Sequence, residues 1–330
     1  MSASAMSVTG EKPMNVEIKP YASSEVSGLA PDDALRDAEA RVRQEPAVAA
    51  HRWALFQWLC IVCEWERAVQ QLQVYAQLDS ASSSDSMTPH VHAYRDLVRA
   101  ERARALVMAG KHEPHFVFDD VPVWMQGLHG ALGLAAQGEF DAADAAREIA
   151  LDRAPLISGR SEREVSTDPA HQAAAIEFSW IGDSDSRLGP VCEFVAAGRY
   201  RWLAFDEIAR WTIARPTTLV DLVWAPCSLT LRDGTLLRGF MPARYPQAPA
   251  RESSADERSA LLMARSTVWH ENGRTGVIAS GAKTWATSAG DFGVFELRDC
   301  TFGRAREGGA ADAPAVSGRS AHADLERTTR

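Results

Sequence analysis

The chain has 330 residues and a formal net charge of −9, from 35 Lys+Arg against 44 Asp+Glu. This length suggests about two domains, and 46% hydrophobic with 24% charged residues is ordinary for a globular protein. The acidic balance argues against non-specific binding to nucleic acid or to anionic lipid.

The first segment, residues 1–28, is rich in Ser, Ala and Glu without periodicity, so it is predicted to be a disordered tail. It lacks the charged-then-apolar order of a signal peptide. The longest unbroken apolar run, Trp58 to Cys63, is far shorter than a bilayer span. Five scattered cysteines do not form a disulfide framework. The sequence therefore predicts a cytoplasmic, unanchored protein.

Residues 29–157 are predicted to be a helical-repeat domain similar to tetratricopeptide repeats. Ala34 recurs as Ala68 after 34 positions, and a third copy centres on Ala143. Each copy is followed 12 positions later by the same kind of helix end, at Pro46, Ser80 and Pro155. A 34-residue period with small residues where helices meet is typical of tetratricopeptide repeats.

The polar stretch 158–175 is predicted to be a linker, and residues 176–303 a mostly antiparallel-β domain of the α+β class. A short helix is predicted from near Leu188 to Gly198. Three hairpins are predicted after it, turning at Asp233-Gly234, Asn272-Gly273 and Ala289-Gly290, the last between Thr284–Thr287 and Val294–Leu297. Residues 304–330 are predicted to be a second disordered tail.

The most distinctive local string contains the carboxylates Asp183 and Asp185. A calcium loop is excluded because Phe194 stands where a bidentate Glu is required. The pair resembles the nucleophile and acid of a metal-dependent phosphohydrolase. The favoured interpretation is structural: Ser184, Asp185 or Ser186 caps the predicted helix, and Arg187 pairs with a neighbouring acid.

Other candidate sites favour structural interpretations. Cys60-x-x-Cys63 lies in an apolar helix without a second metal-binding pair, so core packing is expected. The string Gly276 to Thr284 resembles a phosphate-binding loop, but Ala282 displaces Lys283 and a strand follows. The histidine pairs 90/92 and 112/115 are expected to be solvated. Glu101, on an otherwise apolar helix face, is expected to pair with an Arg.

Several motifs together resemble the ImpE family, also called SciE or TagJ, an accessory component of bacterial type VI secretion. The resemblance covers about residues 28–302. In the first half it is carried by Phe56-Gln57-x-Leu59, Trp65-Glu66-x-Ala68, Tyr94-Arg95 and Glu101-x-x-Arg104. In the second half it is carried by Phe178-x-Trp180-Ile181-x-Asp183-x-Asp185-Ser186-Arg187-Leu188-Gly189-Pro190, Gly198-x-Tyr200-x-Trp202, Asp221-Leu222-Val223-Trp224-x-Pro226 and Arg244-Tyr245-Pro246.

The resemblance implies a non-enzymatic cytoplasmic protein without a cofactor. It implies binding to the small subunit of the contractile sheath, through a helix near that subunit's N-terminus, and an influence on the AAA+ ATPase that recycles the sheath. The motif residues that could contact a partner are Asp183, Asp185, Arg187, Trp224, Arg244 and Tyr245.

We therefore expect an adaptor with no catalytic, cofactor-binding or metal-binding residue. Two rival hypotheses stay open at this point. One is the metal-dependent phosphohydrolase using Asp183 and Asp185, and the other is a chaperone whose repeats hold a secreted effector.

Overall fold

A computed structural model describes residues 16–17, 30–82, 88–161, 175–246 and 254–303. The chain has the α+β fold expected from its sequence. In the described part of the chain, helices fill the first half and antiparallel strands the second. The helices are α1 Pro31–Gln44, α2 Ala49–Ile61, α3 Trp65–Ser82, α4 Thr88–Met108, α5 Val123–Ala136, α6 Phe140–Arg153 and α7 Ala255–Leu262.

Consecutive helices are joined by tight turns that a left-handed residue closes. Cys63 (φ 63°) lies two residues after the end of α2, and Gly138 (φ 83°) two residues after the end of α5. In each case the next amide bonds back over five residues, from Glu64 to the Leu59 carbonyl (2.9 Å) and from Glu139 to the Leu134 carbonyl (3.0 Å). This is the Schellman arrangement that satisfies the last carbonyls of a helix. As a result α3 folds back on α2, and α6 on α5.

The three alanines of the sequence period are all buried where helices pack. Ala34 lies in α1, Ala68 in α3 and Ala143 in α6. Small residues also bring α5 and α6 together, since a Cβ added at Gly127 would lie 3.2 Å from the Cβ of Ala150. Side chains with little volume let the helix axes approach closely.

The strands form one large sheet and two small ones. The nine-stranded sheet has the order β2-β7-β6-β10-β9-β8-β15-β3-β4, and the three-stranded sheets have the orders β1-β11-β12 and β14-β13-β5. All neighbours are antiparallel except β2 and β7. The strands are β1 Val16–Glu17, β2 His115–Phe116, β3 Gly159–Ser161, β4 Ile176–Phe178, β5 Ile181–Asp183, β6 Val191–Ala196, β7 Arg199–Ala204, β8 Ile208–Ile213, β9 Trp224–Leu231, β10 Leu236–Pro242, β11 Ser266–Asn272, β12 Gly276–Gly281, β13 Thr284–Thr287, β14 Gly290–Gly293 and β15 Asp299–Phe302.

The helix predicted near Leu188–Gly198 is wrong. This segment contains β6, a strand between β7 and β10 that is buried at all six positions. A strand covered on both faces is apolar throughout, so its spacing does not distinguish it from a short buried helix. Gly198 ends no helix; with Ala197 it forms the left-handed turn between β6 and β7.

The first two predicted hairpins are confirmed as β9–β10 and β11–β12. The third is only partly right. Strand β13 turns at the predicted place, but it pairs with Gly290–Gly293, and the apolar run Val294–Leu297 follows that strand. The prediction took the mostly apolar segment Val294–Leu297 as the second strand of this hairpin, whereas the strand that pairs with β13 is the preceding segment Gly290–Gly293.

Parts of the predicted tail and linker belong to sheets. Val16 pairs with Thr267, and Glu17 with Ser266, within the range predicted to be disordered. Strand β3, at the start of the predicted linker, lies between β15 and β4 of the large sheet. The rest of the N-terminal tail, residues 162–174 and the C-terminal tail lie outside the described residues. The domain limits themselves remain predictions.

One continuous apolar core connects the helices with the large sheet. Helix α4 packs on β7, and β2, which lies between α4 and α5 in the chain, adds a parallel edge to β7. Four tryptophans are almost completely buried in the sheet half: Trp202, Trp211, Trp224 and Trp285. Charged side chains cross this same junction and form the candidate site.

Candidate functional site between the helices and the sheet

Glu193 is the centre of a buried chain of charges. It is the charged residue of the otherwise apolar strand β6, and its side chain is fully buried. Arg104 of α4 donates to both carboxylate oxygens, at 2.6 and 2.9 Å, and Lys283 Nζ donates at 2.5 Å. Burial opposes ionisation of Glu193, but Arg104 and Lys283 outweigh it and hold its pKa well below the usual range.

Lys283 extends the chain of charges to Asp183. Its Nζ lies 2.5 Å from Asp183 Oδ2, and the Tyr245 hydroxyl donates to Asp183 Oδ1 at 2.7 Å. Burial raises the pKa of Asp183 to about 6, against the lowering effect of Lys283. One ammonium group is thus shared by two buried carboxylates, and Asp183 is the one more easily protonated.

Asp185 makes separate contacts. Its carboxylate accepts two hydrogen bonds from the Arg187 guanidinium, at 2.8 and 2.5 Å, and one from the Ala279 amide at 3.0 Å. These bonds fix the turn after β5 against β12. The expected pairing of Arg187 with an acid is confirmed, whereas the expected helix cap is wrong because β6 follows the turn.

A cleft of about 250 Å³ opens where the chain of charges reaches the helices. Glu101 accepts a hydrogen bond from Arg104 at 2.9 Å and another from the Trp224 indole at 3.2 Å. The Glu101–Arg partnership expected from the sequence is therefore confirmed. Trp65 packs against Trp224, with ring centroids 5.7 Å apart. The cleft is lined by Cys63, Trp65, Glu101, Arg104, Ala105, Val223, Arg244, Tyr245 and Pro246.

Arg244 joins this cleft to two helix ends. Its guanidinium donates to the carbonyls of Cys60 (3.2 Å) and Ile61 (2.9 Å) at the end of α2, and to the carbonyl of Leu262 at the end of α7. Carbonyls in the last turn lack partners within a helix and carry partial negative charge. Arg244 therefore holds α2 and α7 to the sheet half.

The six motif residues singled out from the sequence fall into two groups. Trp224, Arg244, Tyr245 and Asp183 lie at the cleft or one hydrogen bond behind it, whereas Asp185 and Arg187 form their own pair beside β12. Asp183 is 5% exposed and Asp185 is fully buried. Asp183 Oδ1 and the Asp185 carboxylate accept hydrogen bonds from protein donors, and Asp183 Oδ2 forms an ion pair with Lys283, so the phosphohydrolase hypothesis gains no support. A role for the six in partner binding stays a prediction.

Sequence reasoning missed Glu193 and Lys283 as parts of the site. A lone acid inside the apolar run Val191–Ala196 was an available signal, because a buried acid requires a cation. The resemblance of Lys283-Thr284 to a phosphate-binding loop was rightly set aside, since Lys283 is buried against carboxylates. Cys60 is buried at the end of α2 as expected, and Cys63 is half-buried.

The histidines singled out from the sequence form no metal-binding site in the part of the chain that the structure describes. His92, His112 and His115 are exposed, and the side chain of His90 lies outside the described residues. Among the residues that the structure describes, no three His, Cys, Asp or Glu side chains are grouped so that they could hold a metal ion. In the same residues, no helix has the length and apolar content to cross a bilayer.

The fold and the site define a two-part α+β protein whose helices are joined to its sheets by buried ion pairs. Residues 175–301 match the family model described as ImpE protein. The type VI secretion system accessory component TagJ of Pseudomonas aeruginosa is 35% identical over 271 residues, covering 82% of this chain and 87% of that protein. This chain belongs to the ImpE family and is an accessory component of type VI secretion.

A solved structure supports the fold across both halves. The crystal structure of a protein from Vibrio parahaemolyticus superposes with a TM-score of 0.70 at 19% sequence identity. The match covers 84% of this chain and 95% of that one. The arrangement of helices and sheets is therefore shared well beyond the residues that the family model matches.

Proposed function

We propose that this protein is a non-enzymatic adaptor of the type VI secretion system that works in the cytoplasm and binds the small subunit of the contractile sheath. The observation that carries the proposal is the 35% identity to an accessory component of this system along most of both chains. The bound element is a helix near the N-terminus of the sheath subunit, and binding changes how the AAA+ ATPase meets the sheath.

The helical half supports binding of a helix. We propose that its hairpins are tetratricopeptide-like repeats, with Ala68 and Ala143 near the starts of the second helices of α2–α3 and α5–α6. Stacked hairpins of this kind offer grooves in which the apolar face of a partner helix packs.

The solvent side of the α5–α6 hairpin is the surface we propose for this contact. Counting about 100° per residue from the Gly127–Ala150 contact puts Val123 and Ile149 on the same side of the hairpin. These side chains are 68% and 53% exposed, which is unusual for large aliphatic residues. Gly130 lies on the same side of α5, and a Cβ added there would meet nothing within 4 Å, so the surface is open.

Titration calorimetry of the full chain against the purified sheath small subunit tests the proposal. We expect binding at micromolar concentration, typical of a helix in a groove. Loss of binding on deletion of the N-terminal helix of the sheath subunit would support the stated mode. No binding at tens of micromolar would contradict it.

Two matched variants locate the surface. Ile149→Asp is expected to weaken binding at least tenfold, because it puts a charge into an apolar contact. Leu236→Asp changes a side chain with a similar exposure, 52%, on the sheet half and is expected to leave binding unchanged. Equal effects of the two variants would contradict the assignment to α5–α6.

The phosphohydrolase rival has its own test. A generic phosphate ester with magnesium would be hydrolysed by the wild type and not by Asp183→Asn if this carboxylate were a nucleophile. The burial of Asp183 behind Lys283 and Tyr245 leads us to expect no turnover by either protein.

A further inference from the structure

Two largely buried arginines, Arg104 and Arg187, each hold a buried carboxylate through the Nε–Nη2 edge of the guanidinium. Arg104 donates from Nε and Nη2 to the two oxygens of Glu193, at 2.6 and 2.9 Å. Arg187 uses the same two nitrogens for Asp185, at 2.8 and 2.5 Å. Two parallel hydrogen bonds from a planar guanidinium match the geometry of a carboxylate.

Arg244 is buried, yet this edge has no such partner. Its donors to the helix-end carbonyls are Nη1, which bonds twice, and Nη2, which bonds once. The remaining contact of Nη2 is the Cys63 sulfur at 3.8 Å, and none of the described residues accepts a hydrogen bond from Nε or pairs with Arg244 through a carboxylate. Arg244 is only 6% exposed, so water provides little compensation for its charge.

Cys63 does not act as the counterion. Sulfur is a weak acceptor, and burial raises the pKa of the Cys63 thiol, so the group stays neutral. The carbonyls at the ends of α2 and α7 carry partial negative charge that stabilises the cation, but they bond Nη1 and Nη2 and leave Nε without an acceptor among the described residues. The Nε–Nη2 edge of Arg244 thus offers, beside the open cleft, an Nε without an acceptor among the described residues and an Nη2 whose contact with the Cys63 sulfur is weak.

We propose that the cleft binds a carboxylate-bearing ligand, with the carboxylate on the Nε–Nη2 edge of Arg244 and an apolar stem between Trp65, Val223 and Pro246. These three residues and Arg244 all line the same cavity of about 250 Å³. A water molecule occupies about 30 Å³ of liquid, so the ligand replaces roughly eight waters and has the size of one amino acid. This assignment does not depend on the adaptor function.

The charge of the cleft selects for a single negative charge. Glu101 also lines it, and its carboxylate repels a second anionic group. A monoanionic carboxylate is therefore preferred to a phosphate dianion. The apolar wall formed by Trp65 further favours an aromatic or branched stem over acetate itself.

Titration of the full-length protein with 3-phenylpropionate tests the proposal, and the neutral 3-phenylpropionamide is the matched control. We expect the acid to bind at least tenfold more tightly than the amide and than phenyl phosphate, measured by calorimetry and by Trp fluorescence. Equal affinity of acid and amide, or no binding of the acid at millimolar concentration, would overturn the proposal.

Variants in the folded protein locate the binding. Arg244→Gln removes the edge, but it also removes the bonds to α2 and α7 and could prevent folding. Ala105 is exposed on α4 and lines the cleft, so Ala105→Phe is expected to fill the cavity while leaving every charged side chain that lines it in the sequence. Ala105→Phe is expected to abolish binding, whereas Ala142→Phe, at an exposed position of α6, is expected to retain it. Binding of the acid by Ala105→Phe would overturn the assignment.

A third titration separates two sources of the carboxylate. A tetrapeptide ending in phenylalanine carries the same group on a protein-like chain. Tighter binding of the peptide than of 3-phenylpropionate indicates the C-terminus of a partner protein, and tighter binding of the free acid indicates a small metabolite. In either case, loss of binding of the tighter ligand in the Ala105→Phe variant supports the carboxylate site.

Discussion

The helical half and the sheet half differ in how their ion pairs are connected along the chain. Within the helices, pairs such as Arg67–Glu64, Arg104–Glu101 and Arg147–Asp144 join residues three positions apart. In the sheet half, Glu193 pairs with Arg104 and Lys283, which are 89 and 90 positions away. Local pairs follow from helix geometry alone, whereas distant pairs exist only once the fold has formed. The pairs of Glu193 with Arg104 and Lys283 are almost completely buried, whereas the local pair Arg67–Glu64 is exposed, so losing a partner of Glu193 is expected to cost more.

Removing Lys283 is expected to have the largest effect. Lys283→Met leaves the carboxylates of Asp183 and Glu193 buried with one cation fewer, which costs about 3–5 kcal/mol when one partner of a buried pair is lost. The loss of stability is measured as the difference in free energy of unfolding between the wild type and Lys283→Met in urea denaturation. Lys111→Met, at an exposed lysine, is the control and is expected to cost almost nothing. Similar free energies of unfolding for the two variants would show that the buried ion pairs of Lys283 contribute no more to stability than an exposed lysine does.

Asp183 and Glu193 are expected to change the stability of the protein in opposite directions as the pH changes. Its pKa of about 6 in the folded protein exceeds the ordinary 3.8, so the folded state binds this proton more tightly than the unfolded state. The contribution of Asp183 to the free energy of unfolding is complete below its ordinary pKa of 3.8, and it is lost as the pH rises through about 6. Glu193 has the opposite sign, because its pKa is lowered, and its contribution is lost only in more acidic solution.

Wild type is therefore expected to gain up to roughly 3 kcal/mol relative to Asp183→Asn as pH falls from about 7 to about 4. Urea unfolding of both proteins across this range measures the difference. Parallel stability curves would contradict the shifted pKa.

Packing between helices is expected to be less sensitive than the buried charges. Ala143 is 1% exposed, so Ala143→Leu forces extra volume between packed helices and costs about 1–3 kcal/mol. Ala142→Leu, one position earlier and exposed, is expected to be neutral or slightly stabilising, because Leu is a good helix former. Thermal unfolding of the two variants gives the comparison, and an unchanged midpoint for Ala143→Leu would contradict close packing at this site.

Local surface pairs are expected to matter least. Arg67 pairs at the surface with Glu64, three positions away, and with Glu39, 28 positions away, and because these charges are exposed, Arg67→Gln is expected to cost less than about 1 kcal/mol. The cost is also expected to shrink in high salt, because exposed charges are screened. A loss as large as that of Lys283→Met would remove the distinction between local and distant pairs.

Sequence patterns worked where structure depends on neighbouring residues. The helical character of the first half was predictable because Ala34, Ala68 and Ala143 lie on apolar helix faces and are buried in the structure, although their spacings of 34 and 75 positions are unequal. The β9–β10 and β11–β12 hairpins were predictable because Asp233-Gly234 and Asn272-Gly273 suit tight turns. Strand β6 was predicted wrongly, because a strand buried on both faces shows no alternation. That Glu101 would pair with an arginine followed from its place on an otherwise apolar helix face, whereas nothing in the sequence indicated which acids Lys283 would contact.

The sequence alone determined the α+β class, the helices of the first half, two of the three predicted β-hairpins and the family, because each depends on residue types at local spacing. Only the tertiary structure decided that Asp183, Glu193 and Lys283 share one buried cluster, and that Arg244 joins two helix ends beside a cleft. These contacts connect strands and helices far apart in the chain, and no local spacing encodes which strands become neighbours.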